Sequence, residues 1–220
     1  MIIGNGLFAK AFKKIDSENI LFFCSGVSDS SEERYEEFKK EFDLLKKNIT
    51  NKKLIYFSSI SVCDNEDNRK YIKHKRNIEE FISHNSNDYL IFRLPQIIGK
   101  NGNKNNIINY FKNKLINQEL IEVQKNSKRS IIDIEDVVQV VNKFINEKNK
   151  ILNFSGFEIL YVYEILKILI TILNIKNPKV LYVESKINFI PINDIQIQNI
   201  ITDFEINNYT FEILKKYLCY

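Results

Sequence analysis

The sequence predicts an α/β fold, a parallel sheet of short buried strands with helices on both faces. Three observations carry this prediction. Short unbroken apolar runs at residues 20–24, 54–57 and 89–92 read as strands buried on both sides, because a strand with one wet face would alternate apolar and polar residues. Between them lie longer stretches whose apolar residues recur at helical spacing. The two kinds of segment alternate, which calls for crossover connections and therefore parallel strands.

In chain order, residues 1–3 form a very short strand. The glycine turn Gly4-Asn5-Gly6-Leu7-Phe8-Ala9 follows, then a helix over 7–15 that stops at the polar run 16–19. Residues 20–24 are the second strand. Ser30 or Ser31 is placed to cap a charged helix reaching residue 49, in which Tyr35, Phe38, Phe42 and Leu45 fall on one buried stripe. The third strand, 54–57, runs into Ser58-Ser59; a polar loop at 64–69 leads to a helix over 71–83, and 89–93 is the fourth strand. After Pro95 the texture changes. An Asn-rich loop (100–106) is followed by helices at 107–115, 134–146 and 162–173, short strands at 121–123, 131–132, 151–154 and 180–183, and a last helix from Thr210. The expected organisation is a single compact unit, with a sheet region over 1–99 and a small lobe with closing elements over 100–220 packed on it.

At 220 residues the chain can bury most of a sizeable core unaided. Its net charge of +4 arises from interleaved signs, as along residues 32–41, which is the pattern of a solvated helix face and implies no nucleic-acid partner. Lys, Asn and Ile are in excess over Gly, Ala and Arg, so a single lysine carries little information. Cys24, Cys63 and Cys219 share no paired spacing; neither disulfides nor a zinc site is expected, and a reducing cytoplasm fits best. The longest apolar run, 165–175, is interrupted by Lys167 and falls short of the roughly 18 residues a membrane span needs. No signal-peptide pattern opens the sequence, so a soluble protein with no membrane partner is expected.

The glycine turn stands where a strand ends and a helix starts. Glycine there lets the backbone approach a pyrophosphate, whose charge meets the helix N-terminus, while a small third residue, Ala9, keeps helix and strand close. The same residues suit an ordinary tight turn. The acid that would hold a ribose is missing, since the second strand ends in Cys24-Ser25-Gly26.

Tyr71 and Lys75 project from one helix face, and an ammonium beside a phenol favours the phenolate, which is the basis of proton transfer by tyrosine. That spacing recurs at Tyr35/Lys39, Tyr110/Lys114, Tyr163/Lys167 and Tyr182/Lys186. Tyr71 differs in opening a helix just after a strand that ends in Ser58-Ser59, at the sheet edge where ligands bind. Ser58, Ser59 and Ser61 equally suit loop entry and capping. His74 and His84 read as surface residues, and Asp133 and Asp136 as N-terminal charges of the next helix. Arg129 suits either a fixed phosphate contact or a surface salt bridge.

Taken in order, these segments resemble the extended short-chain dehydrogenase/reductases, the NAD-dependent epimerase/dehydratase group that acts largely on nucleotide sugars. Residues 22–28 (FFCSGVS) look like that family's strand end beside the cofactor. Residues 56–62 (YFSSISV) look like its catalytic serine strand, which implies Ser59 as the catalytic hydroxyl, and Tyr71 and Lys75 match its Tyr-x-x-x-Lys pair. Residues 93–99 (RLPQIIG) are similar to the segment between nicotinamide and sugar, with Gln96 in place of Asn. Residues 129–137 look like the segment whose arginine holds the substrate diphosphate, and 153–156 (NFSG) with Val162 and Glu164 resemble the stretch that closes the substrate lobe.

The resemblance implies a Rossmann-like doubly wound sheet, shortened after the first β-α unit, with a small C-terminal substrate lobe. It implies NAD or NADP bound by Gly4, Gly6, Leu7, Phe8, Ser25, Gly26, Ser58, Tyr71, Lys75, Pro95 and Ile98. Catalysis would fall to Ser59, Tyr71 and Lys75, with Lys75 also anchoring a ribose, and substrate contacts to Gln96 and Arg129. The activity implied is an oxidoreductase or epimerase acting on a nucleotide sugar, and the resemblance leaves open a homodimer through the helices of Tyr35 and Tyr71. One departure concerns the cofactor: the glycine turn and Tyr71 are closer in sequence than in the family. If residues 20–24 match the family's fourth strand, the strand bearing the ribose acid is gone together with its neighbour. Two other readings stay open, a catalytically silent protein that senses a dinucleotide or binds a partner, and a phosphate-binding module using Gly4, Gly6 and Arg129 without nicotinamide.

Overall fold

The computed structural model describes residues 1–100, 102, 106–184, 192–202, 204 and 207–218. Cys219, Lys186 and most of the Asn-rich loop lie outside these residues. Five parallel strands make the central sheet: β1 (Ile2–Ile3), β2 (Ile20–Phe23), β3 (Lys53–Ser59), β4 (Tyr89–Leu94) and β9 (Lys150–Asn153), in the order β1-β2-β3-β4-β9. The register aligns Phe22 with Ile55 and Ile55 with Leu90 on one face, and Phe23 with Tyr56 and Tyr56 with Ile91 on the other. Both faces are thus apolar, which is why these strands read as continuous runs rather than alternating ones.

Helices cover both faces, as expected. On one face α1 (Leu7–Phe12) and α5 (Ile134–Lys143) pack on Phe22, Ile55, Leu90, Phe92 and Leu152. On the other, α2 (Tyr35–Asn48) and α3 (Lys70–Asn85) pack on Leu21, Phe23, Leu54, Tyr56 and Ile91. The strands β1 to β4 are laid down side by side in one direction, yet α1 lies on the opposite face from α2 and α3. The β1-α1-β2 crossover therefore has the opposite hand to the next two. Short crossovers are right-handed in about 98% of cases, so the agreeing pair is ordinary and α1 is the exception.

Three local expectations need correction. The second helix starts at Tyr35 after Arg34, not at Ser30 or Ser31; Ser31 instead bonds the Asp29 carboxylate through its amide and its hydroxyl in a polar turn. Being the first residue of that helix, Tyr35 is exposed at 69% and lies off the buried stripe, whose charged member is Glu41. His74 is not a surface residue: it is buried under Phe38, with ring centres 4.7 Å apart.

The second lobe is assembled from short pairings: β5 (Gln96–Ile98) with β8 (Ile131–Asp133), β6 (Ile121–Gln124) with β11 (Val180–Val183), and β7 (Lys128–Arg129) with β10 (Leu160–Tyr161). The helices α4 (Ile107–Ile116), α6 (Val162–Ile172) and α8 (Tyr209–Leu218) close a core around Phe111, Ile131, Ile165, Leu169 and Leu214. Residues 99 and 100 divide the chain but not the layers, because α5, β9 and α7 (Ile195–Ile201) return to the sheet.

Candidate active site at the sheet edge

Where two adjacent parallel strands send their chains to opposite faces, a crevice opens between their C-terminal ends, and this is where open α/β sheets bind ligands. Here that happens between β1, which leads to α1, and β2, which leads to the loop before α2. The exceptional hand of the α1 crossover thus gives a crevice to a sheet whose strand order never reverses.

Gly4 forms the floor of the crevice. It has φ +122°, and a Cβ on it would stand 2.7 Å from the Cys24 carbonyl oxygen, so only glycine lets the two strand ends meet. Gly6, the residue before α1, has an extended backbone, and a Cβ there would meet nothing within 4 Å. Leu7 and Phe8 turn their side chains inward onto the core: Leu7 reaches Gly99, and the Phe8 ring lies tilted against Phe57 with ring centres 4.6 Å apart. Cys24 is no nucleophile, since burial pushes its thiol up to about 12.

On the β2 wall, Gly26 lies against two side chains. A Cβ there would stand 2.9 Å from Glu41 Oε1 and 3.0 Å from Lys75 Nζ. Lys75 projects from α3 with its ammonium 5.7 Å from the centre of the Tyr71 ring, so the Tyr-x-x-x-Lys pair does assemble. Tyr71 packs on Phe38, Ile72 and Val27. Among the described residues its hydroxyl has no hydrogen-bond partner.

Lys75 itself is held from behind. Its Nζ donates to Glu41 Oε1 at 2.9 Å and to the Tyr56 hydroxyl at 2.8 Å, and that hydroxyl donates in turn to Glu41 Oε1 at 2.7 Å. His74 Nε2 and the Val27 amide donate to Glu41 Oε2 at 2.9 and 2.8 Å. Burial alone would raise the Glu41 carboxyl; the Lys75 ammonium and these donors overcome it and hold the group at about 2. For Lys75, burial works against the charge and the Glu41 carboxylate outweighs it, leaving the pKa above its ordinary value. Glu41, His74 and Tyr56 are absent from the expected site. Glu41, read from the sequence as part of a solvated helix face, is instead buried; its position three residues after Phe38 and four before Leu45, on the apolar stripe, was the signal for this.

The two serines diverge. Ser58 is buried and donates to Glu79 Oε1 at 2.5 Å, within a network in which Arg93 pairs bidentately with Glu79. Ser59 caps the 3-10 turn Ile60–Cys63, its Oγ accepting from the Ser61 amide at 3.3 Å, which leaves its own proton to donate. Arg76 fixes the loop that follows by donating to the carbonyls of Val62, Asp64 and Asp67.

Pro95 links β4 to β5. Gln96 pairs in register with Ile131 and is half-buried, whereas Ile98 points into the lobe core. Arg129 lines a lobe cavity of about 370 Å³ with Tyr110, Phe111, Glu122, Gln124 and Val183. The residue is exposed, yet the surrounding protein and then the Arg69 guanidinium lower its pKa. Among the described residues it has no hydrogen-bond or ion-pair partner. No group of three His, Cys, Asp or Glu side chains able to hold a metal occurs among the described residues, and none of their helices is long and apolar enough to cross a membrane.

This sheet, with its helical layers and lobe, is the fold of the extended short-chain dehydrogenase/reductase enzymes, in a shortened form. Among solved structures, the enzyme WbmH of Bordetella bronchiseptica in complex with NAD+ matches with a TM-score of 0.72 at 14% identity, over 97% of this chain and 79% of that one. The UDP-glucuronic acid 4-epimerase of Bacillus cereus, in complex with UDP-glucuronic acid and NAD, matches at 0.68 and 14%, over 97% and 78%. A dTDP-4-dehydrorhamnose reductase of Clostridium acetobutylicum matches at 0.66 and 19%, over 95% and 82%. No protein-family profile and no curated protein sequence matches the chain.

Proposed function

We propose that the chain is an NAD- or NADP-dependent oxidoreductase or epimerase acting on a nucleotide sugar. The observation that carries this reading is the placement of the Lys75 ammonium against Gly26, on the wall of the β1-β2 crevice, with the Tyr71 ring beside it. The crevice suits such a cofactor at its centre: Gly4 lets the strand ends close up, and Gly6 leaves the space above them open. A nicotinamide nucleotide bound there supplies the hydride donor or acceptor.

The chain's own residues supply the rest. Tyr71 gives or takes the proton at the reacting oxygen, and Lys75 keeps a fixed positive charge beside its ring. Ser59 donates its proton to the same oxygen, as its own oxygen is held by the Ser61 amide. Arg129, with Gln96 on the neighbouring strand pair, meets the substrate phosphates, for which a guanidinium lining a cavity and without a partner among the described residues is suited. The solved structures of the same fold are consistent with this class, one of them holding a UDP-sugar together with NAD.

One observation favours a silent protein of the same fold. Glu41 neutralises Lys75 in a buried pair, and Lys75 is 2% exposed. Thermal shift and turnover together separate the two readings. The enzyme reading expects NADH or NADPH and a nucleotide sugar each to raise Tm. It also expects Tyr71→Phe to lose turnover by about 100-fold or more while still binding the dinucleotide. Failure of both dinucleotides to bind at millimolar concentration rejects it.

A further inference from the structure

The crevice is walled by chain on one side only. Its β2 side carries Cys24, Ser25 and Gly26, with Lys75 and Glu41 behind Gly26 and the Tyr71 ring beside Lys75. Its β1 side is two residues long, and among the described residues no strand pairs with the outer edge of β1. A dinucleotide lies across such a crevice with one nucleotide on each side. The outer nucleotide is gripped through the strand next to β1, whose terminal acid bonds the adenosine ribose or whose neighbouring arginine takes a 2′-phosphate. In this sheet α1 does not lead outward to that strand but turns back to β2. The side of the crevice that still has walls is the side of Tyr71 and Lys75.

We infer that the site recognises only the nicotinamide mononucleotide half of a dinucleotide and makes no use of the adenosine half. This rests on the redox reading above. An adenosine left in solvent buries no surface and meets no partner, so it adds neither affinity nor a means of reading the 2′-phosphate. NADH, NADPH and reduced nicotinamide mononucleotide are then equivalent ligands of this chain.

The three reduced nucleotides share a fluorescent nicotinamide, so their binding to the full chain can be titrated directly without turnover. AMP, the adenosine half alone, serves as competitor. The expected result is three dissociation constants within about threefold of one another, a spread of about 0.7 kcal/mol, and no displacement by millimolar AMP. A dissociation constant for NADH or NADPH more than about threefold below that of the mononucleotide, or displacement by AMP, overturns the inference and leaves the redox reading standing. Absence of binding by all three overturns both.

Discussion

Glu41 is the residue on which the candidate site turns. It satisfies Lys75, Tyr56, His74 and the Val27 amide at once, within a cluster closed to water. Removing one partner of a buried ion pair leaves an uncompensated charge, which costs about 3–5 kcal/mol, more than the pair itself contributes relative to apolar groups. Glu41→Gln keeps the shape and removes the charge, so it should lower stability by that amount. Adding Lys75→Met should restore a large part of the loss. Urea midpoints of the parent and the two variants measure this, and a loss below about 1 kcal/mol for Glu41→Gln would refute the account. The glycines divide in the same physical way. Gly4 is needed for backbone approach, whereas Gly6 is free to change as far as the fold is concerned.

At the scale of elements, that difference becomes a test of α1. The residue before the helix is Gly6, with no side-chain cap and an extended backbone open to any residue. Gly6→Asp would cap the helix, a gain of a few tenths of a kcal/mol over glycine. It would also put a negative charge at the mouth of the crevice. The expected outcome is a Tm equal to or above that of the parent with loss of NADH binding; unchanged binding would remove Gly6 from the site. The strands and long helices were readable because burial on both faces makes strands continuous, and because stripes such as Phe38, Phe42 and Leu45 keep helical spacing. The pairs β5-β8 and β7-β10 were harder, as two or three residues show no period. The start of α2 was misplaced because Asp29, Ser30 and Ser31 carry capping residue types but spend them on a local turn.

Over the whole molecule, acid stability reports on the same network. Glu41 sits at about 2 in the folded chain against an ordinary 4.5. A depressed carboxyl contributes stability that is present above its ordinary value and lost as pH falls towards its folded one. The contribution, about 3 kcal/mol, should therefore disappear between about pH 4.5 and about pH 2. The stability gap between the parent and Glu41→Gln should close over that interval, and a gap that persists at its lower end would count against the network. How much of the site was legible follows from distance along the chain. Tyr71 and Lys75 are neighbours on one helix and were singled out, among five pairs of the same spacing, by following the strand that ends in Ser58-Ser59, while Glu41 and His74 meet across two helices and Tyr56 joins them from a strand. The hand of the α1 crossover is a property of three elements together, and no residue pattern encodes it.

That hand also marks a seam. The turn between α1 and β2, residues 16–19, is the one point at which a strand-helix-strand-helix cassette could enter while every existing strand pairing stayed as it is. Spliced there, such a cassette would let α1 run outward in the ordinary sense and return the chain to β2 from the far side. The chain thus offers a seam for modular grafting, at which two added strands would extend the sheet beyond β1 without breaking any pairing already made.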